Sequence, residues 1–200
     1  MNKIIAIQGA EGSNHHKVAR DFYGDSIALK ECMSFDVLVD SLLDSSATYG
    51  VMALENTIAG SIIPNYALID KHNLHITGEE YLNIHHHLMG LKGQNINDIK
   101  EVWSHPMALL QCKEFFKKYP QIKLVEDVDT AEVAKRISKE NLVGIAAIAP
   151  KIAAEIFFWS IFSVGDTSND LNLSSISAAL HKANAAQESN LLGLNEISII

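Results

Sequence analysis

Glu55, Asn56 and Thr57 form the segment of the sequence best suited to contact a small ligand. They follow an apolar run, residues 49–54, that the hydrophobic pattern predicts as a strand. Together they offer a carboxylate, an amide and a hydroxyl at a strand end, and Gly60 lets the backbone come close to a ligand. A polar turn with a helix cap explains the same residues, and spacing alone leaves both interpretations open.

A second polar segment begins at Ser104 and continues through His105 and Pro106 to Gln111. We expect Ser104 to cap a helix with Pro106 in its first turn, where a missing N–H costs little. Gln111 would then lie about two turns further along the same face. Free N–H groups and the helix dipole favour an anion at such a helix start. An ordinary capped helix with Gln111 on the surface is the simpler interpretation.

Two other segments carry weaker signals. Either Asp129 or Thr130 caps a predicted helix that ends at Lys139, and by itself this is an ordinary capping pattern. Residues 9–16 look like a weak phosphate-binding loop, but they lack the lysine of a Walker motif and the third glycine of a dinucleotide-binding fingerprint. The sequence therefore does not favour nucleotide binding.

Three consecutive histidines invite a metal interpretation. If residues 84–91 form a strand, His85 and His87 point to one face and His86 points to the other. Two side chains on one face are too few for a closed zinc site, so we interpret the histidines as polar residues on a strand rim. We expect neither a metal nor a cofactor.

The composition excludes several broad classes of protein. The chain has 200 residues, and 48% of them are hydrophobic, which is enough to bury a core. Its net charge of −8 disfavours nucleic-acid binding. No apolar run reaches the length of a membrane-spanning helix. The two cysteines, Cys32 and Cys112, lie far apart in the sequence and form no CxxC pair, so they indicate neither a disulfide framework nor a zinc site. Such sparse cysteines fit a reducing compartment. The sequence predicts a soluble, acidic, cytoplasmic protein with neither membrane nor nucleic acid as a partner.

Strands and helices alternate at short intervals, which predicts an α/β fold with largely parallel strands. In such sheets ligands bind at the carboxyl ends of the strands. The predicted strands are residues 3–8, 49–54, 74–81, 84–91, 101–103, 122–125 and 142–146. The predicted helices are residues 14–23, 35–43 after a Ser34 cap, 62–71, a helix after Ser104, 130–139 and 147–157.

In combination, these segments resemble the catalytic region of the prephenate dehydratase family over about residues 3–157. The matching motifs occur in the family's order: Gly12-Ser13 with His16, Glu55-Asn56-Thr57 with Gly60-Ser61, Ser104-His105-Pro106 with Gln111-Cys112, and Thr130-Ala131. The resemblance implies conversion of prephenate to phenylpyruvate, water and carbon dioxide in phenylalanine biosynthesis. Prephenate is then the small-molecule partner, and the resemblance leaves a homo-oligomer open.

The resemblance also implies a two-lobed fold similar to that of periplasmic binding proteins, with the ligand cleft between the lobes. Residues 1–80 would build most of the first lobe and residues 81–157 the second. Six substrate-binding residues would converge on the cleft: Glu55, Asn56, Thr57, Ser104, Gln111 and Thr130. Helix starts near Ser104 and Thr130 would hold carboxylates, Asn56 and Gln111 would orient the ligand, and Glu55 would accept hydrogen bonds from its neighbours.

The sequence departs from the family pattern at Met107, at Pro150 and in its last 43 residues, which contain no Thr-Arg-Phe. The only charged residues after Phe157 are Asp166, Asp170, Lys182, Glu188 and Glu196. We expect residues 158–200 to be a divergent tail, frameshifted or otherwise replaced, that lacks the segment completing the first lobe. The catalytic residue is therefore unknown, and we expect reduced or absent turnover and no phenylalanine feedback. Two alternatives stay open: arogenate as substrate, and a non-catalytic carboxylate-binding protein on the same scaffold.

Overall fold

The computed structural model describes residues 3–56, 60–157, 160–162, 172–176 and 196–199, the last two segments by their backbone alone. These residues form two compact units of strands and helices. One unit contains the described residues of Met1–Ala10, Asn14–Asn83 and Ser174–Ile200. The other contains the described residues of Glu11–Ser13 and Ile84–Leu173.

Most helices directly follow a strand along the chain. In the first half the elements are β1 (Ile4–Gln8), α1 (Asn14–Tyr23), β2 (Ala28–Cys32), α2 (Phe35–Leu43), β3 (Tyr49–Met52), β4 (Glu55–Asn56), β5 (Gly60–Ser61), α3 (Ile63–Lys71) and β6 (His75–Glu79). Next come β7 (Leu82–Gly90), β8 (Glu101–Ser104), α4 (Pro106–Gln111), α5 (Lys113–Phe116), β9 (Lys123–Glu126), α6 (Thr130–Glu140), β10 (Ile145–Pro150), α7 (Lys151–Phe157), β11 (Ser160–Ile161), β12 (Asn172–Ile176) and β13 (Glu196–Ile199).

The sheet of the first unit has the strand order β2-β1-β3-β13-β6, and all of its neighbouring strands run parallel. Helix α2 covers this sheet and is capped by Ser34, whose hydroxyl accepts a hydrogen bond from the Val37 N–H at 3.2 Å. Leu38 and Leu42 of α2 pack into the core with Met52 and Leu54. This packing fixes the end of β3, where the polar segment begins.

The sheet of the second unit has the strand order β11-β7-β10-β8-β9. β10, β8 and β9 run parallel, whereas β7 is antiparallel to β10 and to β11. One apolar cluster, which includes Phe115 and Ile148, packs beneath α4 and α5, and another, which includes Val133 and Ile137, packs beneath α6. The predicted α/β fold is therefore confirmed in both units, but the largely parallel pairing is confirmed only in the first, because the sheet of the second unit combines parallel and antiparallel pairs.

Three sequence expectations differ from the structure. The strand predicted at 142–146 lies at Ile145–Pro150, and the helix predicted from 147 begins at Lys151. Alanine-rich residues favour a helix by composition, but here they are buried between β7 and β8, which makes them a central strand. β2 was not predicted. β13 lies between β3 and β6 in the sheet of the first unit, although we expected residues 158–200 to lack the segment that completes this lobe.

Within the described residues, no helix combines the length and the apolar character needed to cross a membrane.

Candidate active site

Glu55 has both carboxylate oxygens engaged by neighbouring hydroxyl groups. The chain leaves β3 through two buried residues and forms a short antiparallel pair in which Glu55 faces Ser61 and Asn56 faces Gly60. Ser61 Oγ donates to Glu55 Oε2 at 2.9 Å, and Tyr66 Oη donates to Glu55 Oε1 at 2.6 Å. Glu55 is therefore held as a fixed acceptor at this strand end.

Two residues of helix α3 also hold the segment around Glu55 in place. Asn65, which is 2% exposed, donates from Nδ2 to the carbonyl of Ala53 at 2.7 Å. The hydrogen bond to Glu55, reinforced by burial and by repulsion from that carboxylate, raises the pKa of Tyr66 to about 12. Tyr66 consequently stays protonated and remains a donor to Glu55 at neutral pH. The sequence analysis singled out neither Asn65 nor Tyr66. The available signal for Tyr66 was its spacing, because it follows Ile62 and Ile63 by about one helical turn.

Asn56 lies beside Glu55 in the same short strand, half-buried. Gly60, its partner across the pair, has φ +78, which a side-chain-bearing residue rarely adopts, and no described atom beyond its chain neighbours lies within 4 Å of where a Cβ would stand. Thr57 falls outside the described residues. The polar turn predicted at 55–61 is thus a small hairpin for the part that the structure describes.

Ser104 does not cap a helix, contrary to our expectation. It ends β8 with its side chain fully buried, and its Oγ donates to the carbonyl of Ile148 at 2.8 Å. The pairing of β8 with β10 stops one residue earlier, at Ala147, so this hydroxyl extends the link between the two strands. His105 is the cap of α4, with Nδ1 accepting from the Met107 N–H at 3.2 Å.

Gln111 ends α4 and lies against β7. Because Ser104 belongs to the strand, the expected common helix face of these two residues does not exist. Instead, Gln111 Oε1 lies 2.9 Å from Nε2 of His86. His86 is 7% exposed, and burial lowers its pKa, so its ring is neutral at pH 7.

The start of α6 already holds a carboxylate. Asp129, not Thr130, is the cap, and its Oδ1 accepts from the N–H groups of Ala131 and Glu132, each at 2.9 Å. The expectation that this helix start holds a substrate carboxylate through its N–H groups is therefore wrong for these two donors. Thr130 is half-buried as the first helical residue.

The strand ends of the second unit are linked to one another. The carbonyl of Ser104 accepts from the Asp127 N–H at 2.9 Å, and Asp127 forms an ion pair with Arg136 of α6. The guanidinium of Arg136 also lies 5.3 Å from the ring centroid of Trp103. These contacts join the ends of β8 and β9 to α6. They therefore hold Ser104 and Thr130 in fixed positions relative to each other.

The structure thus places the candidate residues in two groups. Glu55 and Asn56 lie together in the first unit, and Ser104, Gln111 and Thr130 lie at strand and helix ends of the second. Their convergence on one cleft stays a prediction. In the part of the chain that the structure describes, no three His, Cys, Asp or Glu side chains are grouped to hold a metal ion.

Comparison with known proteins decides the family. The sequence model of the prephenate dehydratase family matches residues 5–172. The chain belongs to the prephenate dehydratase family. The match continues past Phe157, where our sequence analysis ended the resemblance, and it therefore includes β11 and the start of β12.

Individual family members agree with this assignment. The bifunctional chorismate mutase/prephenate dehydratase of Buchnera aphidicola is 35% identical over 163 residues, which are 78% of this chain and 42% of that protein. Arogenate dehydratase/prephenate dehydratase 2 of Arabidopsis thaliana is 38% identical over 153 residues, 76% of this chain and 40% of that protein. The chain therefore spans less than half the length of these relatives.

The fold is also shared with a solved member of the prephenate dehydratase family. The prephenate dehydratase of Arthrobacter aurescens, solved in complex with L-Phe, superposes with a TM-score of 0.73 at 17% identity. The superposition covers 90% of this chain and 62% of that one. This likeness confirms the predicted α/β fold with two lobes of the periplasmic-binding type.

Proposed function

We propose that this chain supplies the catalytic region of a prephenate dehydratase, which converts prephenate to phenylpyruvate for phenylalanine biosynthesis. The observation that carries the proposal is the family match over residues 5–172, because this range contains all six predicted substrate-binding residues. The relatives named above are dehydratases of prephenate or arogenate by their own names.

The reaction sets clear requirements for a site. Breaking the bond between the ring and its carboxylate releases carbon dioxide, and the electron pair of that bond completes the aromatic ring. The ring C–O bond breaks at the same time, and the departing hydroxide takes a proton to leave as water. A site must hold a dianion, orient the ring and supply that proton.

The described residues support the binding part of this task. We propose that Asn56 and Gln111 donate neutral hydrogen bonds, that Thr57 and Thr130 offer hydroxyl groups, and that Glu55 orients the polar segment around it. Ser104, being fully buried and bonded to Ile148, contributes by fixing the end of β8 just before α4. The proton donor is not assigned.

Arogenate remains a second substrate within the same proposal. It shares the ring carboxylate and the ring hydroxyl with prephenate and differs in its side chain, which carries an amino group. The Arabidopsis relative bears both activities in its name. We also propose a cytoplasmic location, which the two buried, free cysteines Cys32 and Cys112 support.

The test is an assay of the purified 200-residue chain with prephenate, and separately with arogenate. Phenylpyruvate is followed by its absorbance, phenylalanine by chromatography, and binding of each substrate by calorimetry. Product that forms faster than in the protein-free blank supports the dehydratase. Saturable binding without turnover selects the alternative, a non-catalytic carboxylate-binding protein, and an absence of binding contradicts both.

A further inference from the structure

His86 is a buried polar residue that the reaction outlined above does not use. It lies in the middle of β7 with 7% of its surface exposed, whereas its neighbour His85 is exposed on the other face of the strand. Among the described residues, its hydrogen-bond partner is Gln111, which is 25 residues away in sequence and comes from α4. A strand of the sheet therefore holds the end of the helix that carries a candidate binding residue.

The chemistry of this contact fixes the direction of the hydrogen bond. The amide oxygen Oε1 of Gln111 is only an acceptor, so at 2.9 Å the Nε2 of His86 must carry the proton. The neutral ring then has a lone pair on Nδ1. Nδ1 is buried and has no hydrogen-bond partner within the described residues.

The same contact leaves the other end of the Gln111 amide available. With Oε1 engaged by His86, the Gln111 NH₂ group takes no part in this contact and keeps its two donor hydrogens for another partner. Gln111 is half-buried, so this donor stands at the edge of the packed core. A reversed amide would present oxygen instead and would repel an anionic ligand.

We propose that His86 is a positioning residue that donates to Gln111 Oε1 and thereby presents the Gln111 NH₂ group to a carboxylate of the substrate. This inference rests on the proposed function. The lone pair on Nδ1 supports it, because a buried acceptor without a hydrogen-bond partner destabilises the fold. An apolar residue of similar size would pack at this position without that cost, so packing alone does not account for the histidine.

The experiment compares three variants of the full chain. His86→Leu removes the donor and keeps much of the volume, and His86→Gln restores an N–H donor near the position of Nε2. His85→Gln changes the exposed neighbour and is the matched control. Calorimetric titration with prephenate is expected to give a dissociation constant about tenfold weaker for His86→Leu, close to wild type for His86→Gln, and unchanged for the control.

Nitrogen NMR of the ligand-free wild-type protein provides a readout that does not depend on the proposed function. We expect a protonated Nε2 and an unprotonated Nδ1 in His86, and a shifted Gln111 side-chain amide in His86→Leu. A His86→Leu protein that is less stable but binds prephenate as tightly as wild type would overturn the inference. So would a ring protonated on Nδ1 alone. If wild type does not bind prephenate, the proposed function fails, and the NMR result still decides whether His86 orients Gln111.

Discussion

Tyr66 and Glu55 are joined by a hydrogen bond of 2.6 Å between the phenol oxygen of a helix residue and the carboxylate of a strand-end residue. The bond crosses from α3 to the short pair formed by β4 and β5, 11 residues apart in sequence. Because Ser61 occupies the second carboxylate oxygen, the carboxylate cannot rotate freely. The polar segment is therefore oriented by its own chain before any ligand arrives.

This bond predicts an unusual phenol titration. The pKa of Tyr66 is raised to about 12, first by the hydrogen bond to Glu55 and further by burial and charge repulsion. Glu55→Gln removes the charge, so the Tyr66 pKa should fall towards the ordinary value near 10. Absorbance titration of wild type, Glu55→Gln and Tyr66→Phe would measure it. If one tyrosine does not titrate later in wild type than in Glu55→Gln, the bond is not formed in solution.

A buried histidine predicts a loss of stability in mild acid. Burial lowers the pKa of His15 to about 4, although its bond to the backbone of Gln8 acts in the opposite direction. The unfolded chain takes up the proton near pH 6.5, so the neutral ring stabilises the fold above that pH and the contribution disappears as the pH falls to about 4. The full loss is roughly 3 kcal/mol.

His15→Asn is the variant that tests this pH dependence, and His75→Gln, at an exposed position, is its control. Urea denaturation at several pH values between 4 and 7 should show a shallower decline for His15→Asn than for wild type. The control should follow wild type. Equal slopes for all three proteins would show that His15 does not stay neutral in the fold.

The cap of α6 predicts a local stability effect. Asp129 satisfies two N–H groups at the helix start, and Asp129→Ala leaves both without that partner. We expect a loss of about 1–2 kcal/mol in the free energy of unfolding, most of it recovered by Asp129→Ser. Val128→Ala, at an exposed neighbour, serves as the control in the same denaturation series. A neutral Asp129→Ala would argue against this cap.

The position of Ser104 predicts that its role is mainly structural. Ser104→Ala removes the donor to the Ile148 carbonyl inside the sheet, which should cost about 1 kcal/mol of stability. Because the hydroxyl is fully buried, prephenate binding should change less than it does in Gln111→Leu. Ser26→Ala, at an exposed serine, is the control. A large loss of binding with unchanged stability would instead indicate direct contact with the substrate.

The helices with strong local signals were predicted from sequence almost to the residue. Helix α1 spans Asn14–Tyr23 as expected, and α2 begins after the Ser34 cap and ends at Leu43. In both cases a local feature, the glycine at position 24 or the capping hydroxyl, sets a boundary that depends on no distant contact. The order of motifs likewise pointed to the family.

Features that depend on distant contacts were not predicted. β2, Ala28–Cys32, alternates too little to signal a strand, and it forms by pairing with β1. The helix expected after Ser104 exists, but Ser104 does not cap it. The Ser104 hydroxyl instead donates to a backbone carbonyl of β10, a contact that the local sequence does not reveal. Alternation predicted that His86 lies on the face opposite His85 and His87, but the burial of His86 and its contact with Gln111 depend on the fold.

The central claim is that this chain binds and dehydrates prephenate, and Gln111 provides the most direct test of it. Calorimetry and phenylpyruvate absorbance would be measured on wild type and Gln111→Leu, with Leu110→Ala, at an exposed position of the same helix, as the control. The account predicts saturable prephenate binding by wild type and by the control, product that forms at a low rate but above the protein-free blank, and clearly weaker binding by Gln111→Leu. Wild-type protein that shows no saturable binding of prephenate would contradict it.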